Sequence, residues 1–120
     1  MHKKVYAAIT DMKNHRYSSK LRVGEPVFLI KDPDNLSDSE AIRVVLPPHG
    51  QIGYIANSPE IVPRGCCSAG RIYDTFKQQT LGIVQFIFQD MAIIELREVT
   101  SMPGAEEKEV FIMYRTSERI

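Results

Sequence analysis

This sequence is built from short apolar runs with turn-forming residues between them. The runs are rich in β-branched and aromatic side chains, and the longest wholly apolar stretches span about five residues, far short of a membrane span. Such a pattern is typical of a compact β domain. It predicts five or six strands, which are Lys4–Thr10, Pro26–Lys31, Ala41–Leu46, Gln51–Ile55, Leu81–Gln89 and Ala92–Val99.

Turn residues join these strands into two predicted hairpins. Pro47–Gly50 connects the third and fourth strands, and Gln89-Asp90 connects the last two. Between the hairpins the pattern breaks at several prolines and glycines. Ser68–Lys77 is predicted to be helical, with Ser68 as its N-cap, because apolar residues follow at helical spacing. The result is a mainly β fold, a near-closed barrel with one or two short helices.

The length of 120 residues fits a single domain. We predict a folded domain over residues 1–99, and over residues 100–120 a solvated linker followed by a tail or edge strand at Val110–Tyr114. The basic and then apolar N-terminus is too short for a signal peptide and is interpreted as the first strand. A cytoplasmic protein is therefore expected.

The net charge is zero, but the charges are segregated along the chain. Residues 1–31 carry seven Lys or Arg against two acids, whereas residues 32–60 carry one Arg against five acids. A zero balance is unusual for a non-specific nucleic-acid binder. Segregation can still present a basic patch to phosphates, and two ordinary solvated faces are the alternative interpretation.

No catalytic motif stands out. The only cysteines, Cys66 and Cys67, are adjacent, which suits neither an unstrained disulfide nor a structural zinc site. The histidines at positions 2, 15 and 49 lack metal-ligand spacing. Neither a phosphate loop nor a nucleophile elbow is present. We therefore predict a protein that is not an enzyme and has no cofactor or metal.

An acidic loop offers one alternative to that prediction. Asp32, Asp34 and Asp38 resemble the start of a cation-binding loop. An EF-hand also requires glycine and glutamate where this chain has Ser37 and Arg43. A turn held by side-chain-to-backbone hydrogen bonds is the simpler interpretation. A metal-dependent nuclease remains as a minor hypothesis.

One extended motif carries a family resemblance. It runs from Leu21 to Asn35, continues through Asp38 to Ala41–Val44, and closes with Gln51–Ile55. This stretch resembles the HIRAN domain family, with clear likeness over residues 5–56 and weaker likeness to residue 98. The resemblance implies a modified OB-like barrel of about six strands with two helices. The family occurs alone in bacteria or fused to helicase-like ATPases and nucleases.

The resemblance also implies a function. The best-understood member type binds the 3′ end of single-stranded DNA, stacking terminal nucleotides on aromatic side chains while an acid accepts the 3′-hydroxyl. Asp38 matches that acid, because a carboxylate accepts from a hydroxyl but repels a continuing phosphate. Arg16 and Tyr17 match an Arg-Tyr pair that reaches phosphate and stacks on a base. Tyr54 stands where an aromatic or histidine lies near the nucleotide, and Asn35 is expected to fix the loop.

Two positions depart from the family pattern. Ser37 replaces an aromatic that often precedes the acid, and Asn57 replaces a lysine that binds phosphate. Each loss would weaken binding by about 1–3 kcal/mol if nothing compensates. Lys20, Arg22 and Lys31 are the cations that could compensate.

The leading hypothesis is a DNA-binding module for single strands or free 3′ ends, linked to DNA repair or replication. Its DNA-binding candidates are Arg16, Tyr17, Lys20, Asp38, Tyr54 and Asn57. The alternative is a non-catalytic interaction module that has lost DNA-end binding and docks a protein partner such as a helicase or nuclease.

Overall fold

Six antiparallel strands close into a barrel in this computed structural model, which describes residues 4–97. A single α-helix and two 3₁₀ turns lie between the strands of this part of the chain. The strands are β1 Tyr6–Thr10, β2 Pro26–Lys31, β3 Ile42–Leu46, β4 Gly50–Ile55, β5 Gln79–Phe88 and β6 Met91–Arg97. The 3₁₀ turns cover Met12–Asn14 and Arg16–Lys20, and the helix α1 covers Ala69–Tyr73.

The strands follow the order β1-β4-β3-β2-β5-β6 around the barrel, and β6 pairs with β1 to close it. The hairpins β3–β4 and β5–β6 form as the sequence predicted. The contact between β1 and β4 is short and pairs Ile9 with Ile55 and Thr10 with Tyr54. The mainly β, six-stranded prediction is confirmed.

The barrel interior collects the inward positions of every strand. In β3 these are Ile42, Val44 and Leu46, each at most 1% exposed, as the alternation predicted. β2 is apolar on both faces because its outward Phe28 packs in a second cluster with Val45 and Leu81, its register partners on the two neighbouring strands. The continuous apolar run of β2 is thereby explained.

The helix is shorter than predicted. Ser68 is the N-cap, its hydroxyl accepting from the Arg71 amide, but α1 ends at Tyr73 rather than Lys77. The Thr75 hydroxyl donates to the carbonyl of Ile72 at 2.6 Å just beyond the last turn. The prediction was wrong at this end because Phe76 reaches the core from a turn and needs no helix to do so.

The two 3₁₀ turns after β1 were not predicted. They are tied together by the Ser18 hydroxyl, which lies 2.8 Å from the Met12 carbonyl and 2.9 Å from the His15 carbonyl. Buried Met12 and Leu21 anchor the two ends of the segment in the core. Both turns pack against β4, and this contact places the segment beside the candidate site.

A β-bulge changes which side chains of β5 face outward. The register with β6 shifts between Val84 and Phe86, so that Ile87 turns toward the core. Phe86 and Phe88 are consequently 55% and 60% exposed, with nearly parallel rings whose centroids are 6.4 Å apart. One inserted residue thus moves two large aromatics from the interior face to the surface.

Glu95 also departs from expectation. The alternation of β6 predicts an exposed acid, but Glu95 is only 7% exposed. Arg97 donates to its Oε1 at 2.7 Å, and the Lys4 ammonium lies 3.9 Å from its Oε2. The Glu95 carboxylate therefore has Arg97 and Lys4 as its charged partners.

Within residues 4–97, the structure contains no helix that is long and apolar enough to cross a membrane. The predicted linker and edge strand of residues 100–120 lie outside the described residues.

Candidate nucleic-acid interface

The loop between β2 and β3 is folded by its own side chains. The Asn35 side-chain oxygen accepts from the amides of Ser37 and Asp38 at 2.9 and 3.0 Å. Asp38 Oδ1 in turn accepts from the Glu40 amide at 2.9 Å. These are the local hydrogen bonds that Asn and Asp form in turns. Asn35 therefore fixes the loop, as expected, and Asp38 is held in one orientation.

The second oxygen of Asp38 reaches across to another segment. Asn57 Nδ2 donates to Asp38 Oδ2 at 2.8 Å, and Asn57 Oδ1 accepts from the Gly70 amide at 2.8 Å. The Asn57 amide thus bridges the β2–β3 loop and the first turn of α1. Asn57 has an internal role that its sequence position did not reveal.

An open cavity of about 380 Å³ lies beside this bridge. Its volume falls within the range of small-ligand sites. Asp38 and Tyr54 both line it, so two of the residues predicted to bind DNA face the same cavity. Ser37 also lines it, where the family pattern places an aromatic. The remaining lining residues are Asn35, Ala41 and Ile55.

Tyr17 and Arg16 form a second group on the second 3₁₀ turn. The Tyr17 ring is partly buried and lies against Gly50, where a β-carbon would stand 3.3 Å from the ring. Gly50 has a φ of 137°, which favours glycine for a second reason. The Arg16 guanidinium carbon is 5.3 Å from the Tyr17 ring centroid, within cation–π range. Lys20 is exposed at the end of the same turn.

Two histidines connect these groups to β4 and its turn. His15 meets Tyr54 edge-on with ring centroids 6.0 Å apart. His49 stacks on Tyr17 at 6.0 Å with an interplanar angle of 29°. The spacing of these histidines, which does not suit a metal site, gives no sign of their aromatic contacts. No spacing rule could have found them, because the contacts depend on how the 3₁₀ turns pack on β4.

Comparison with known proteins finds a match to one protein family. Residues 5–59 match the family model of the HIRAN domain. Over this stretch of the chain, the protein resembles a HIRAN domain. Domains of this family are binding modules rather than catalysts, and they generally bind DNA. None of the curated proteins matches the chain significantly.

Two solved structures share this barrel fold. A crystal structure of a protein from Lactobacillus plantarum is 24% identical with a TM-score of 0.56, and the match covers 78% of this chain and 93% of that one. The crystal structure of the HIRAN domain of human HLTF is 20% identical with a TM-score of 0.55, covering 78% of this chain and 74% of that one. At these identities the likeness supports the fold.

The cations proposed to compensate for Ser37 and Asn57 are not equivalent in this structure. The Lys31 ammonium lies 4.4 Å from the Tyr73 ring centroid and 5.0 Å from that of Phe76. Lys31 is therefore engaged in packing α1 and the following turn onto the barrel. Arg22 donates from Nη1 to two backbone carbonyls. Lys20 and Arg22 are both exposed, and Lys20 lies on the same 3₁₀ turn as Arg16 and Tyr17.

The acidic loop does not assemble a metal site among residues 4–97. That part of the chain contains no group of three or more His, Cys, Asp or Glu side chains placed to hold a metal ion. Within the loop, both Asp38 oxygens accept hydrogen bonds from protein donors. The side-chain-to-backbone hydrogen bonds of the β2–β3 loop are those expected of a turn.

Proposed function

We propose that this HIRAN domain binds single-stranded DNA at a free 3′ end and serves in the processing of DNA ends during repair or replication. One observation carries the proposal, namely that Asp38 and Tyr54 line the same open cavity. A carboxylate and an aromatic ring are the two groups needed to accept from a terminal hydroxyl and to stack on a base.

The hydrogen bonds of Asp38 leave it able to accept from a ligand. Each carboxylate oxygen takes one donor, from the Glu40 amide and from the Asn57 side chain. An ionised carboxylate has about four acceptor positions, so two remain for a hydroxyl. A phosphate at the 3′ terminus would instead bring negative charge against the carboxylate. The site should therefore discriminate a 3′-hydroxyl from a 3′-phosphate.

Tyr17, Arg16 and Lys20 extend the proposed path of the strand. Tyr17 is fixed against Gly50 and is thus preorganised for stacking. Arg16 and Lys20 are exposed cations on the same turn and would contact phosphates. Each phosphate contact adds to the salt dependence of binding, so Lys20→Gln should weaken binding at low salt and reduce the salt slope by about 1.

Fluorescence anisotropy with a 5′-labelled single strand tests the proposal, comparing 3′-hydroxyl and 3′-phosphate termini at low salt. We expect tighter binding of the hydroxyl terminus and loss of that preference in Asp38→Ala. Asp34→Ala is the matched control, because Asp34 is an exposed acid of the same loop. Equal binding of both termini by the unmodified protein would reject end recognition while leaving DNA binding intact.

A non-catalytic protein-interaction module is the second candidate, and exposed apolar residues favour it. Phe86 and Phe88 are more than half exposed, and Leu36 is fully exposed. Exposed apolar clusters often mark interaction sites. If no oligonucleotide binds, we expect a purified helicase or nuclease partner to bind the unmodified protein and Asp38→Ala equally. The double variant Phe86→Ser, Phe88→Ser should then bind it at least tenfold more weakly, by the usual weight of aromatic anchors.

A further inference from the structure

Each tyrosine of the proposed DNA site has a histidine as its ring neighbour. His15 contacts Tyr54 at 6.0 Å, and His49 stacks on Tyr17 at 6.0 Å. The chain has three histidines, so two of them lie at the two candidate stacking positions. Neither belongs to the residues that the family resemblance assigns to DNA binding.

The hydrogen bonding of His15 defines what its ring can offer. Nδ1 lies 2.9 Å from the Asp11 carbonyl oxygen. A carbonyl only accepts, so Nδ1 carries the hydrogen in the neutral ring, and Nε2 is the nitrogen that takes the next proton. The Asp11 carboxylate lies 3.7 Å from the same Nδ1. Protonation would therefore create a new N–H donor on a ring that is already oriented.

His49 has a different setting. It is exposed on the turn between β3 and β4, directly before Gly50, whose backbone lies against the Tyr17 ring. The turn therefore holds His49 and Tyr17 together as two stacked rings at 29°. An exposed imidazole on a fixed turn can reach a ligand that stacks on the neighbouring tyrosine.

We propose that His15 and His49 are further nucleic-acid contacts, whose imidazolium forms bind the phosphates of the strand that stacks on Tyr17 and Tyr54. The proposal rests on the proposed function, since it assigns new contacts to the same strand. A charged donor bonds phosphate more strongly than a neutral one. Binding should therefore tighten as pH falls through the range in which histidines gain charge, about pH 8 to 5.

Charged and titratable side chains lie beside the His15 and His49 rings. His15 faces Asp11, on the turn that follows β1, and Tyr54 on β4. His49 faces Tyr17, and Arg16 lies over the same tyrosine.

The experiment measures the affinity of the full chain for a 5′-labelled oligothymidylate by anisotropy, from about pH 5.5 to about pH 8.5 at constant ionic strength. Thymine does not titrate in this range, so the protein alone supplies the dependence. We expect about tenfold tighter binding at the acid end. His49→Phe keeps an aromatic ring on Tyr17 without the charge, and should bind normally at high pH but gain less on acidification.

The double variant His15→Phe, His49→Phe should show no pH dependence. Thermal unfolding of each variant reports whether the barrel is intact. An unchanged pH dependence in the double variant would overturn this proposal and leave the proposed function standing. Failure of the unmodified protein to bind at every pH would overturn both.

Discussion

Asn57 donates to Asp38 at 2.8 Å and so joins two segments that are 19 residues apart in the sequence. The same amide accepts from Gly70 at the start of α1. One side chain therefore fixes the position of Asp38, the acid proposed to accept the 3′-hydroxyl. Where the family pattern has a lysine for phosphate, this chain has a residue that orients the carboxylate.

Replacing Asn57 should affect both stability and end recognition. Asn57→Ala removes two hydrogen bonds and leaves the partly buried Gly70 amide unpaired, so we expect a loss of about 1–3 kcal/mol in the free energy of unfolding. The Asp38 carboxylate also becomes free to turn, and the preference for a 3′-hydroxyl should fall. Urea denaturation and terminus-specific anisotropy measure the two effects.

The control for this prediction is Asn14→Ala. Asn14 is exposed, and its side chain bonds only the neighbouring Asp11 among the hydrogen bonds described. Asn14→Ala should change the free energy of unfolding by no more than about 0.5 kcal/mol. Equal effects of the two alanine variants would contradict a special role for Asn57.

Two leucines separate core packing from surface exposure. Leu29 is completely buried in the barrel, whereas Leu36 is fully exposed in the β2–β3 loop. Leu29→Ala should reduce the free energy of unfolding by about 2–5 kcal/mol, and Leu36→Ala should change it by less than about 0.5 kcal/mol. Chemical denaturation of both variants checks this. Similar losses would mean that the loop packs against the barrel.

Two glycines differ in what a methyl group would meet. At Gly53 a β-carbon would lie 2.4 Å from the Thr10 carbonyl oxygen, which is backbone. At Gly70 it would lie 2.6 Å from the flexible end of the exposed Glu40 side chain. We expect Gly53→Ala to cost about 3 kcal/mol or more and Gly70→Ala about 1 kcal/mol or less, because alanine also favours the helix. Thermal unfolding compares the stabilities of the two variants. A larger loss for Gly70→Ala than for Gly53→Ala would contradict the close contact between β1 and β4.

Cys66 should resist alkylation at neutral pH. Burial, and secondly the neighbouring Cys67, raise the pKa of the Cys66 thiol. Since only the thiolate is nucleophilic, its reaction with iodoacetamide should become fast at a higher pH in the folded protein than in urea. A raised pKa in the folded state also means that stability falls as pH rises above the ordinary range of cysteine.

Mass spectrometry of the alkylated protein gives the pH midpoint for Cys66. Cys67→Ser should lower that midpoint but keep it above the unfolded value, because burial is the larger cause. A midpoint equal to that of the unfolded chain would show that the thiol is open to water.

The strands could be predicted because their periodicity is local. β2 was predicted with its observed bounds, Pro26–Lys31, since a proline and a polar loop delimit the apolar run. The surface role of Phe86 and Phe88 could not be predicted. Without the bulge at Gln85, the alternation from buried Val84 would direct both rings inward.

The candidate site was predictable in its residues but not in its connections. The family motif pointed to Asp38 and Tyr54, and both line one cavity. The bridge through Asn57 and the contacts of His15 and His49 join residues distant in sequence, so local patterns carry no signal for them. The DNA-binding roles of Arg16, Tyr17, Lys20, Asp38, Tyr54 and Asn57 stay predictions.

The short contact between β1 and β4 also has a consequence for motion. Two residue pairs, Ile9 with Ile55 and Thr10 with Tyr54, join β1 to β4 there, whereas β5 and β6 are joined by seven pairs between Leu81 and Phe88. Opening events of a native protein start where the fewest contacts must break. Amide protons along this seam should exchange with solvent before those of β5. The seam passes Tyr54, so we expect the side of the cavity that Tyr54 lines to adjust to a ligand more readily than the β5–β6 side of the barrel.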